Sequence, residues 1–201
     1  MNLIPPHQEK REGRLKNISK FFSMELNSTH LSKQVTSFNL EIGCGHGHWL
    51  TSFAQERTDL TFVGIDLITK RIDKANIKKN KRDLTNLHFV KADAIEFISC
   101  IPADLKILNC YVMYPDPWPK ARHHKRRLIN QSFLELLKTK CSNTTSKLFF
   151  KTDHIDYYKW ASHEIENSSF WKLTSPFWPH QADSFFQDLL PQNNILCAET
   201  Y

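Results

Sequence analysis

The chain has 201 residues, 40% hydrophobic and 12% aromatic, with a formal charge of +6 and a pI near 9.0. That length suits one domain with a sizeable core and is too short for two ordinary ones, and the composition excludes a disordered polymer. The cysteines at 44, 100, 110, 141 and 197 have no CxxC spacing. They suggest neither a disulfide framework nor a metal site, and fit a reducing, cytoplasmic compartment. No apolar run reaches membrane-spanning length, and the first six residues lack an apolar signal core, so no membrane association is expected.

Residues 1–36 carry six Lys/Arg against three Glu and only weak periodicity. They read as a basic N-terminal arm with at most one short helix, ordering on a polyanion. From residue 37 to 201, short apolar runs alternate with helical periodicity, the pattern of βαβ units and a parallel sheet. Strands are expected at 38–42, 60–65, 87–90, 105–114, 147–151 and 171–177. Helices between them carry Trp49, Leu50 and Phe53; then Ile68, Ile72 and Ala75; then Ile129, Phe133, Leu136 and Leu137; and then 157–165. Ser132 and Glu135 have capping-box spacing for the third of these. The fold class is α/β, an open, doubly wound, mostly parallel sheet, which binds ligands beyond the carboxyl ends of its strands.

Three of the five glycines fall in Gly43-Cys-Gly-His-Gly47, directly after a strand and before a helix. Gly43, Gly45 and Gly47 allow positive φ and a close backbone approach to a ligand. The spacing departs from the dinucleotide fingerprint. Glu41 in front would repel a pyrophosphate, but it suits a cationic ligand such as S-adenosylmethionine. Asp66 ends the second strand, where a carboxylate can accept ribose hydroxyls, and Asp93 follows the third, placed for an adenine amino group. Each acid taken alone also fits a helix cap or turn residue.

Asp116 follows the fourth strand and Asp153 the fifth, so both face the same crevice; Asp153 also fits a helix N-cap. Prolines 115, 117 and 119 stiffen the Asp116 loop. Trp118 suits either a stacked purine or the core. Carboxylates complement the N1–H and N2–H₂ donors of guanine. Its N7 is a nucleophile with no proton to lose, so methylation there needs an in-line approach and nearby negative charge, without a general base. Two basic stretches, 70–82 and 120–127, read either as solvated faces or as phosphate contacts.

The segment Pro115-Asp-Pro-Trp-Pro-Lys-Ala-Arg-His-His-Lys-Arg-Arg127 and the turn Glu41-Ile-Gly-Cys-Gly-His-Gly47 resemble bacterial tRNA (guanine-N7-)-methyltransferases of the TrmB type. That is a class I, Rossmann-like family using S-adenosylmethionine, and the likeness covers about residues 36–201. It implies that Glu41, Gly43, Gly45, Gly47, Asp66, Asp93 and Asp116 bind the donor, with Asp116 also catalytic. It implies further that Lys120 and Asp153 contact the guanosine, and that Arg122, His123, His124, Lys125, Arg126 and Arg127 contact tRNA. The target it implies is a guanosine of the variable loop, and the protein would be a monomer or homodimer. The family has a Thr-x-Phe/Tyr-Glu substrate motif before a last strand. Glu199-Thr200-Tyr201 reads as its beginning, which makes Thr200 a substrate-binding candidate and leaves the last strand missing. Two other readings remain: an exocyclic-amine methyltransferase with an Asp-Pro-Pro-aromatic-like loop, and a non-catalytic RNA-binding module.

Overall fold

A computed structural model describes residues 6–26, 35–142, 145–181 and 194–201. Seven strands form one sheet: β1 Ser37–Ile42, β2 Phe62–Asp66, β3 Leu87–Lys91, β4 Lys106–Met113, β5 Lys147–Thr152, β6 Trp171–Thr174 and β7 Asn194–Thr200. Their spatial order is β3-β2-β1-β4-β5-β7-β6. The first five are parallel, and β7 runs antiparallel between β5 and β6. The last strand is therefore present, against the expectation. The order reverses between β1 and β4, so the crevice at their carboxyl ends is the switch point where such sheets bind ligands.

β1, β2 and β5 are buried along nearly their whole length, as strands covered on both faces must be. The covering helices are α2 His48–Glu56, α3 Thr69–Asn80, α4 Ala94–Cys100, α5 Gln131–Thr139 and α6 Ile155–Glu166. α2 presents Trp49, Leu50, Phe53 and Ala54 to the sheet, at the one-face spacing of an amphipathic helix. α5 does the same with Phe133, Leu134 and Leu137. Its cap is Asn130, whose side chain accepts from the Phe133 amide at 3.0 Å, so the Ser132–Glu135 capping box does not form. β6 ends at Thr174, three residues short of the expected run. Beyond it the chain folds back over α2, where the Trp49 indole donates to the His180 carbonyl at 3.0 Å.

An N-terminal helix, α1 Pro6–Lys20, continues into a π-helical turn, Phe21–Glu25. The stretch read as an arm contributes Ile18, Phe21, Phe22 and Leu26 to the main core. Arg14 grips Glu96 of α4 through two hydrogen bonds of 2.7 Å. Two adjacent phenylalanines break no charge pattern, so the sequence reads as polar where its burial is decisive.

Candidate functional site

Five strand ends meet at one rim, and the side chains that follow them converge there because parallel strands all point the same way. Two adjoining cavities of about 390 and 520 Å³ open at this rim. They share Gly43, Arg71, Met113, Tyr114 and Asp116. The first also holds Asp66, Asp93, Trp118 and Arg126, and the second holds Glu41, Gly45, His46 and His48. The four acids assigned to the donor thus lie on one connected hollow, with Asp116 common to both parts.

The glycine turn is pinned from below. The Gly43 and Cys44 amides both donate to the Ile65 carbonyl, at 2.8 and 3.0 Å. Asp66 Oδ2 accepts from the Gly45 amide at 3.1 Å, and Oδ1 accepts from the Ile68 amide at 2.8 Å. Arg71 Nη1 reaches the same carboxylate at 3.4 Å. All three glycines have positive φ. A Cβ on Gly43 or Gly45 would meet no atom within 4 Å, so these two leave open space beside the cavities. Gly47 differs: its Cβ would come within 2.5 Å of the Phe89 ring. It is absent from the lining among the described residues, and its role is to let α2 start close to the sheet.

Glu41 is the site's electrostatic centre. It is 2% exposed, and its Oε2 has no hydrogen-bond partner among the described residues. Burial first, and then the charge of Asp66, push its carboxyl up to about 8. A folded-state pKa above the unfolded one means that the native protein binds this proton more tightly. The stabilisation is complete below about pH 4.3 and is lost as pH rises through about 8. Glu41→Gln should therefore raise the melting temperature of the ligand-free protein at pH 9 by about 4 °C or more, with the gap closing at pH 5. The same variant should weaken donor binding by about tenfold or more. A pH-independent difference in melting temperature would refute the charged, unpaired state.

Asp93 is both a helix cap and a lining residue. Its Oδ1 caps α4, accepting from the Ile95 and Glu96 amides at 2.9 and 3.1 Å, and it lines the first cavity. Asp116 is exposed on the loop that leaves β4. Two strained residues flank it: Tyr114 and Trp118 have φ of +49° and +44°. The Tyr114 amide donates to the Lys151 carbonyl at 2.8 Å, fixing the start of the loop to β5. Burial and the Asp153 charge push the Tyr114 phenol up to about 12, so it stays protonated at neutral pH. Trp118 lines the cavity under the Arg126 guanidinium, 4.9 Å from its ring, and is not a core residue.

The remaining candidates divide. Lys120, Arg122, Lys125 and Arg126 are exposed and His123 and His124 half-buried on a 3-10 turn, Ala121–Arg126, that projects from the same rim. Asp153 is exposed at the end of β5, and the α6 cap is His154, whose Nδ1 accepts from the Tyr157 amide at 3.3 Å. Arg127 does not face outward with its neighbours. It is 2% exposed, donates from Nε to the Pro117 carbonyl at 2.9 Å, and lies over the Tyr157 and Trp160 rings. It braces the Asp116 loop. Thr200 is also displaced: it is buried at the amino end of β5, where its Oγ1 accepts from the Ser146 amide at 3.2 Å. That is the opposite rim from the cavities, because β7 is antiparallel. Residues 182–193, which precede β7 and would hold any motif ahead of a last strand, lie outside the described residues. Tyr114 and Arg71 line both cavities and went unassigned in the sequence; the signal for Arg71 is a cation one helical turn beyond the acid that ends β2.

Comparison with known proteins identifies the family. A family described as putative methyltransferase matches residues 35–184. A protein of Wolbachia pipientis wMel, named tRNA (guanine-N(7)-)-methyltransferase, is 34% identical over 78% of this chain and 73% of its own length. One of the same name from Mesoplasma florum is 29% identical over 91% of this chain and 78% of its own. A solved rRNA methylase from Streptococcus thermophilus shares the fold, with a TM-score of 0.55 at 10% identity, covering 100% of this chain and 98% of that one. By the family match and the identity to the Wolbachia protein, this chain belongs to that methyltransferase family, in its bacterial TrmB branch.

Proposed function

We propose that this protein transfers a methyl group from S-adenosylmethionine to N7 of a guanosine in the variable loop of tRNA. The observation that carries the reading is the position of Asp116, shared by a hollow fit for a cationic donor and a loop of exposed cations. The residues present fit that donor. The orphaned Glu41 oxygen lacks a positive partner, Gly43 and Gly45 leave room beside the turn, and Asp66 and Asp93 supply acceptors. When bound, the donor supplies an electrophilic methyl group on a sulfonium.

Glu41, Gly43, Gly45, Asp66 and Asp93 hold the donor, and Gly47 lets the turn close over α2. Asp116 places negative charge where the purine becomes positive on gaining a methyl group, and N7 has no proton for a base to remove. Trp118 offers a ring face at the mouth of the hollow for the base. Lys120 and Asp153 flank the guanosine, and Arg122, His123, His124, Lys125 and Arg126 meet the tRNA backbone. The protein is a cytoplasmic monomer or homodimer.

The test is transfer of labelled methyl from S-adenosylmethionine to unmodified tRNA, with nucleoside mass spectrometry locating the product. Label as 7-methylguanosine is the expected result. Methyl on an exocyclic amine of adenine or guanine would replace the reading, and no transfer would reduce the protein to an RNA-binding module.

A further inference from the structure

The donor is a cation, yet the helix beside its hollow carries a run of cations with few acids to meet them. α3 carries Lys70, Arg71, Lys74, Lys78 and Lys79 against one acid, Asp73. At about 100° per residue, Arg71, Lys74 and Lys78 fall within about 60° of one another, and Asp73 lies about 100° or more from each. Arg82 continues the stripe just past the helix end. Lys78 Nζ donates to the His46 carbonyl at 2.9 Å, which docks the stripe against the glycine turn. His46 and His48 stand beside it with ring centroids 6.3 Å apart. Among the described residues, the carboxylate that meets this group is Asp66, at 3.4 Å from Arg71.

These charges raise one another's cost. Burial and then Lys74, Arg82 and Lys81 hold Lys78 below the usual lysine range. Burial and then Lys74, Lys78 and Arg71 lower His46, and burial with Lys78, His46 and Arg82 lowers His48. Like charges on one helical stripe destabilise a fold, and here they also repel the donor. An anionic ligand resolves both penalties, and the single carboxylate of S-adenosylmethionine can answer one of these cations but not the whole stripe.

We propose that Arg71, Lys74, Lys78 and Arg82, with His46 and His48, form a second nucleic-acid face that takes backbone phosphates of the same tRNA whose base enters at Asp116. The proposal rests on the function proposed above. Asp116 lies in both cavities, with Trp118 and Arg126 in one and His46 and His48 in the other. The two sets of cations therefore flank it, and a strand touching both crosses the glycine turn. From Arg71 to Lys78 the stripe runs about 10 Å along the helix, enough for successive phosphates.

The test is binding of fluorescently labelled, unmodified tRNA to the full chain across a salt series. Among the described residues the Lys74 and Arg82 side chains make no hydrogen bond or ion pair with the glycine turn or the acids, so K74Q/R82Q removes charge while leaving the donor site's bonds in place. The double variant should bind about tenfold more weakly near physiological salt, and its slope of log K against log salt should fall by about 2. Donor affinity, read by calorimetry, should be no weaker than in the wild type. Lys106→Gln removes a charge at the opposite rim and should leave the slope unchanged. A wild-type slope in K74Q/R82Q, with methyl transfer to tRNA intact in the wild type, overturns this face alone. A slope loss per charge removed that is as large in Lys106→Gln as in K74Q/R82Q overturns it as well, because net charge would then be the cause. If the wild type transfers no methyl to tRNA, the proposed function and this face fall together.

Discussion

Asp116→Ala should lower kcat for tRNA methylation by about 10²–10³-fold, the usual loss when one group that stabilises developing charge is removed. The side chain is exposed on a loop held by other groups, namely the Tyr114 amide on Lys151 and Arg127 on the Pro117 carbonyl. Unfolding free energy should therefore change by no more than about 0.5 kcal/mol. Asp116→Asn separates charge from shape. If the carboxylate acts through its charge, the two variants should lose comparable rate, and donor binding should weaken less than turnover in both. An asparagine variant within tenfold of wild type would leave Asp116 as a shaping residue only. Paired measurements of kcat and of donor Kd decide the matter.

Gly47→Ala should destabilise the protein by about 2–4 kcal/mol. Two penalties add: about 1 kcal/mol for a side chain in left-handed backbone, and about 1–3 kcal/mol for overpacking. The second is visible in the distances, since the new methyl would meet Phe89 at 2.5 Å and Ala75 at 2.8 Å. Phe89, on β3, is buried with its ring against Gly64 of β2 and the start of α2, so it has little room to yield. Gly45→Ala makes the informative contrast. With no atom within 4 Å, it should cost about 1 kcal/mol of stability and act mainly on donor affinity. Urea unfolding of the two variants, with donor titrations, should show one losing stability and the other losing ligand. Similar unfolding midpoints for both would contradict the division of labour within the turn.

The acids at strand ends were legible because short continuous apolar runs announce where a buried strand stops, and parallel strands put those stops on one rim. Glu41, Asp66, Asp93 and Asp116 all follow from that rule. The rule fails for an antiparallel strand, and Thr200 shows how. Its neighbours look like a motif, but their direction in the sheet carries them to the far edge. Arg127 was illegible for a different reason. In a run of cations nothing local distinguishes the one whose guanidinium is stacked on Tyr157 and Trp160 from those in water. The Asn130 cap was hidden by a better-looking Ser-x-x-Glu two residues on. The core role of Phe21 and Phe22 depends on Phe97, 76 and 75 positions away, and no periodicity within residues 1–36 encodes that partner.

β7 follows β6 in the chain but sits inside the sheet, between β5 and β6. A ribosome making this protein has therefore finished β5 well before the strand that must lie against it exists. At ordinary synthesis speeds the delay is about 2–10 s, long compared with helix and hairpin formation. Throughout that time the Lys147–Thr152 segment presents an unpaired, phenylalanine-bearing edge to other nascent chains. The methyltransferase hollow can be shaped early by the first five strands, but the β5 edge becomes safe from edge-to-edge association only when β7 arrives.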